Sequence, residues 1–105
     1  MAIACTQLSA TAPSTVFIAS GENAVTSIIF CNVDSATDAY IDVWMVPTGQ
    51  AAGDNNKILN QIFIPAKETF SIDTERFILS NGDSVAAQAT QNSVITTTVS
   101  YMQLS

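Results

Sequence analysis

The chain contains no histidine in 105 residues, and three lysines and arginines stand against nine aspartates and glutamates. Without imidazole, the side chain that ordinarily titrates between about pH 5 and pH 8 is missing. Ser–His and Cys–His nucleophile pairs are thereby excluded. The formal charge of −6, with Lys57, Lys67 and Arg76 scattered along the chain, excludes the clustered cations that phosphate binding requires. The same charge disfavours an anionic membrane surface. No stretch approaches the ~20 consecutive apolar residues of a membrane span. The four glycines form no phosphate-cradling cluster, and no Gly-x-Ser-x-Gly elbow occurs. Neither nucleic acid nor membrane is expected as a partner, and no cofactor is implied.

Cysteine is also scarce, with Cys5 and Cys31 only. The opening Met1–Cys5 segment lacks a basic region followed by a long apolar run, so no secretory signal is expected. Folding in a reducing cytosol then predicts two free thiols. Charged residues make up 11% of the chain, against about 25% in an ordinary soluble domain. Ser, Thr, Asn and Gln fill the deficit. A polar but uncharged surface suits a protein that packs against neighbours, because few solvated charges must be stripped at a contact.

What is present is material for pleated sheet. β-Branched runs alternate with turn residues throughout. Expected strands cover Ala2–Leu8, Thr15–Ala19, Val25–Val33, Tyr40–Val46, Lys57–Ile64, Thr69–Asp73, Phe77–Leu79, Ser84–Thr90 and Val94–Leu104. Pro47 and Pro65 stop two of them, since proline donates nothing to a ladder. Ser20–Asn23 and Ser80–Asp83 read as tight turns, Gly49–Asn56 as the longest loop, and Asp73–Arg76 as a single capped helical turn. About eight short strands at roughly ten-residue spacing predict one all-β domain over residues 1–105. Its expected architecture is a two-sheet antiparallel β-sandwich, jelly-roll or immunoglobulin-like.

Along the last strand, Ile95, Val99 and Tyr101 share one face, while Thr96, Thr98 and Ser100 share the other. That alternation buries one side and wets the other. Two strands break the rule. In Val25–Val33, Ile29, Cys31 and Val33 oppose Ile28 and Phe30; in Tyr40–Val46, Ile41, Val43 and Met45 oppose Tyr40, Trp44 and Val46. A strand apolar on both sides needs cover for its second side. Two covers are open: a loop or the N-terminal strand folding over it, or a neighbouring subunit. For the subunit contact the candidate residues are Ile28, Phe30, Tyr40 and Trp44.

Chemistry-bearing clusters are weak. Asp73 and Glu75 lie two apart beside Arg76, the pattern of a solvated capped turn rather than of carboxylates facing across a cleft. Gly53-Asp54-Asn55-Asn56 offers oxygens but lacks the ligand rhythm and distal glutamate of a calcium loop. Neither cysteine has a neighbouring cation. No catalytic or metal-binding residues are expected. Tyr40 and Trp44 are the side chains that would stack a sugar or a base, although an aromatic in a strand usually serves side-chain packing.

Ile41–Gly49, Asn56–Ile58, Phe77–Val85 with its Leu-x-x-Gly-Asp-x-Val corner, and Thr98–Tyr101 carry a resemblance. Over residues 25–104 the chain resembles small β-sandwich structural proteins of tailed bacteriophages, found on capsids and at tails and fibres. The resemblance implies a virion component made in the host cytoplasm. Its implied partners are other virion proteins of the capsid shell, neck or tail, and further copies of itself in a homo-oligomer. It transfers no catalytic residues. The expected function is capsid decoration (cement). The alternatives are a neck, tail or fibre component, and a carbohydrate- or receptor-binding module using Tyr40 and Trp44.

Overall fold

The computed structural model describes residues 2–72 and 77–104. The turn expected at Asp73–Arg76, with its paired carboxylates, lies outside the described residues. The described chain is all strand and loop: β1 (Ala2–Gln7), β2 (Ser14–Ile18), β3 (Asn23–Asn32), β4 (Ala39–Val46), β5 (Lys57–Ile64), β6 (Thr69–Ile72), β7 (Phe77–Leu79), β8 (Ser84–Ala89) and β9 (Ile95–Gln103). All pairings are antiparallel. One sheet runs β1-β9-β3-β6, with β7 also on β3; the other runs β2-β8-β4-β5. β6 lies along Ile28–Cys31 and β7 along Asn23–Val25, so the two share one edge position.

The all-β sandwich expectation is met, and the topology decides between its two forms. Apart from the β4–β5 hairpin and the β6–β7 succession, each strand is followed by one in the opposite sheet. This double winding is the jelly roll; immunoglobulin-like sandwiches keep more successive strands within a sheet.

The core fills the space between the sheets. Fully buried Val25, Ile28 and Phe30 from β3 meet Ile41, Val43 and Val85 from the other sheet. Phe30 lies 6.4 Å from Phe70, and Phe17 lies 4.5 Å from Tyr101. Ile28 and Phe30 are therefore core residues, and their expected role as subunit contacts is corrected. Register supplies the reason. Ile28 sits beside Val99 and Asn32 beside Ile95, and those β9 residues face inward. Cross-strand neighbours share a face, so Ile29, Cys31 and Val33 turn outward with Thr98 and Thr96.

Among the described residues three polar side chains are buried: Asn23, Asn32 and Thr97. Asn32 Nδ2 donates to Thr37 O at 2.9 Å and Ile64 O at 3.0 Å, and its Oδ1 accepts from Asp34 N at 3.0 Å. It ties the end of β3 to the end of β5. Asn23 Oδ1 accepts from Ser20 N at 2.9 Å, closing the turn before β3. Thr97 Oγ1 has no partner.

Cys5 and Cys31 are both free. They lie on β1 and β3 with β9 between them. Two strand spacings are roughly 10 Å, beyond the ~7 Å Cα limit for a disulfide.

Candidate functional site

The outer face of the β2-β8-β4-β5 sheet holds the two remaining predicted contact residues. Tyr40, Asp42, Trp44 and Val46 alternate outward along β4 while Ala39, Ile41 and Val43 point into the core. Tyr40 and Trp44 thus share a face, separated by about 13 Å of strand.

Trp44 is only 6% exposed, although it stands outside the sandwich core. It packs with Val46 and Ala86, and Ala52 from the loop following β4 completes the cluster. Ala86 is its direct neighbour on β8, and the small side chain leaves room for the indole. Lys57 Nζ sits 5.2 Å from the ring centroid and 3.8 Å from Asp42 Oδ1. The cover that the second face of β4 requires is therefore, at Trp44, a loop of the same chain.

That loop is pinned at both ends. Thr48 N donates to Asp83 Oδ1 at 2.9 Å, and the Thr48 hydroxyl lies 2.9 Å from both Asn81 O and Asp83 Oδ1. Ser80 N donates to Asp83 Oδ2 at 3.0 Å. The Thr48 amide first, then the Ser80 amide and the Thr48 hydroxyl, hold the Asp83 carboxyl below the usual carboxylate range. Gly82 makes this close approach possible. Its φ is +89°, and a Cβ there would come within 2.8 Å of Thr48 Oγ1. At the far end, Met45 N donates to Asn56 O at 2.9 Å, and the Asn56 side chain takes Gly53 N and Ala51 O at 3.0 Å each. The Asn56 amide weighed as a calcium ligand is thus engaged in shaping the loop. No group of three His, Cys, Asp or Glu residues suited to a metal occurs among the described residues.

Tyr40 is 43% exposed and pairs with Phe63, itself 49% exposed, at 5.0 Å between ring centroids. Beside them a bulge in β5 puts Gln61 at φ 55°, and Asp42 Oδ1 accepts its backbone N–H at 2.8 Å. Gln61 Nε2 also reaches Asp42 Oδ2 at 3.1 Å. Phe63 escaped the sequence reading because this bulge breaks the alternation of β5. Its chemistry-bearing signal, an aromatic one residue before a buried Ile64, becomes meaningful only once Tyr40 is placed opposite it.

The other outer face, of β1-β9-β3-β6, carries the wet side expected of β9, with Thr96, Thr98 and Ser100, but holds none of the four candidate contact residues. It exposes Ile3, Cys5, Ile29 and Met102 with Thr98 and Ser100 between them. The strands of this sheet contain no charged residue.

Two of the open grooves among the described residues flank these faces. One of about 360 Å³ runs beside the Trp44 cover, between Pro13, Thr15, Ser84 and Gln50. Another of about 320 Å³ follows the seam between β1 and β2, lined by Ala4, Phe17 and Tyr101. Neither is lined by a carboxylate or an amine. Both offer apolar contact and hydroxyl or amide hydrogen bonding. The chain matches no protein-family model, no curated protein and no solved structure.

Proposed function

We propose that the chain is a non-enzymatic structural component of a tailed-phage virion, most simply a capsid decoration protein bound in many copies over the shell. The observation that carries this reading is the uncharged sheet face with Ile3, Ile29, Val33 and Ile78 exposed. In a chain of net charge −6, strands that carry no carboxylate keep repulsion low along one side of the sandwich. Exposed aliphatic groups set among hydroxyls lose little on being buried and gain apolar area. The jelly roll supports the reading only in part, since capsid and lectin domains both use it and fold does not specify function. Quantitative mass spectrometry of purified particles tests it. Hundreds of copies per particle are expected for decoration, and about a dozen would assign the chain to the neck, tail or fibre. Absence from the particle would overturn the virion reading.

One observation favours a second reading, a carbohydrate- or receptor-binding module. The exposed Tyr40–Phe63 pair stands beside the Asp42 and Gln61 side chains, an aromatic platform with hydrogen-bonding groups at its rim. Trp44 does not contribute to that platform, being covered by its loop. A glycan array read with wild type and Tyr40→Ala distinguishes it: binding lost in the variant supports the module, and no binding by wild type removes it.

A further inference from the structure

A sheet edge is a row of unpaired N–H and C=O groups that another chain can extend, and folded proteins blunt it with bulges, charges, proline or brevity. Three edge positions here are blunted. β2 is bulged between Thr15 and Phe17. β5 carries Lys57, two register breaks and the left-handed Gln61. β6 and β7 have four and three residues. β1 has none of these defences: its six residues, Ala-Ile-Ala-Cys-Thr-Gln, hold an unbroken register on β9.

The orientation of its free groups follows from that register. Leu8 N donates to Ile95 O at 2.9 Å, continuing the β1–β9 ladder. Backbone groups point to alternate sides along a strand. The even-numbered residues therefore bond to β9, while Ile3, Cys5 and Gln7 turn their N–H and C=O away from it. No second strand among the described residues pairs with β1.

We propose that the β1 edge pairs antiparallel, about a two-fold axis, with the β1 edge of a second copy, fusing two sheets into one. Outward residues must oppose outward residues for the bonds to form. The register that engages all three sets Cys5 against the partner's Cys5 and Ile3 against the partner's Gln7, giving about six backbone hydrogen bonds. Charge selects a second copy as the occupant. A two-fold axis sets residues near it against their own kind, so a charged edge repels itself. β1 carries no charge, and neither do the next two strands of its sheet, β9 and β3, in a chain of net −6. This pairing is independent of the virion reading and stands or falls by its own test.

Cys5 reports on it. Hydrogen-bonded antiparallel pairs place Cα atoms about 5.5 Å apart, within the range a disulfide spans. Both thiols would lie on the exposed side of the fused sheet. Sedimentation of the wild-type protein is expected to give twice the monomer mass. Mild oxidation with diamide is expected to produce a covalent dimer in wild type and Cys31→Ser, and none in Cys5→Ser. Cys5→Lys sets an ammonium against its own copy at an exposed position. It is expected to melt near the wild-type temperature yet sediment as a monomer. A wild-type protein that stays monomeric as its concentration rises would overturn the proposal. So would a dimer that survives Cys5→Lys, or a cross-link that requires Cys31.

Discussion

Truncating Trp44 separates three places this side chain can occupy: sandwich core, subunit interface, or a pocket beneath its own loop. A Trp or Phe cut to Ala in a rigid core costs about 3–5 kcal/mol, the cost rising with the cavity left behind. Phe30 fits that case, held between two sheets with Phe70 beside it. Trp44, 6% exposed, is walled on one side by Ala52 of a loop, which can settle into the vacancy. The expected loss for Trp44→Ala is therefore about 2–3 kcal/mol. About 0.5–1 kcal/mol of it comes from the Lys57 ammonium over the ring. A domain of this size has roughly 5–15 kcal/mol in hand, so the variant folds. Urea unfolding followed by circular dichroism measures the loss, because the tryptophan removed is the only one. Hydrogen exchange locates it: the Gly53 and Asn56 amides should lose protection while those of Ile41 and Val43 keep theirs. A loss matching that of Phe30→Ala, with β4 itself deprotected, would place Trp44 in the central core and refute the reasoning. A loss below about 1 kcal/mol with unchanged loop protection would refute it from the other side, leaving the hydrogen bonds at Thr48 and Asn56 as the loop's anchors.

Three further perturbations have defined outcomes. Thr97→Val replaces a buried, unpartnered hydroxyl by a methyl of similar size and should raise stability by about 1 kcal/mol in the same urea experiment; a decrease would mean that the hydroxyl is satisfied in solution. Asn32→Leu strips partners from Ile64 O, Thr37 O and Asp34 N and should cost about 3 kcal/mol or more, a near-neutral result showing that this end of the sandwich opens to water. The Asp83 pKa is depressed by the Thr48 and Ser80 amides, so its contribution is complete above the unfolded value of 3.8 and is lost as pH falls through the lower folded value. Asp34, held low by the Ala36 amide first and then by Thr37, adds to the same window. Melting temperatures from about pH 5 down to about pH 2 should therefore fall less steeply for Asp83→Asn than for wild type, and parallel curves would disprove the linkage.

Much of the fold was legible in local pattern. Strand positions, the Gly82 turn and the proline stops all follow from short-range backbone chemistry, and β5 spans the same residues expected of it. Of the four predicted contact residues, Tyr40 is exposed, Trp44 is covered by its own loop, and Ile28 and Phe30 are core. The error at β3 arose where local pattern is silent. Both of its faces are apolar, so alternation alone contains no choice between them, and a one-residue change of register exchanges the faces.

The sequence by itself determined an all-β chain with few charges and one cleanly wet-and-dry strand, β9, because period-two alternation and turn chemistry are written in neighbouring residues. Only the tertiary structure decided the rest. β9, laid beside β3 in a specific register, turned Ile28 and Phe30 inward and Ile29 outward. The Thr48–Asp83 bonds drew a loop across Trp44 from a distant turn. The order of strands left β1, the least defended strand, at a sheet edge. Each of these depends on which segments meet across long stretches of chain, and that is fixed when the two sheets close over a common core.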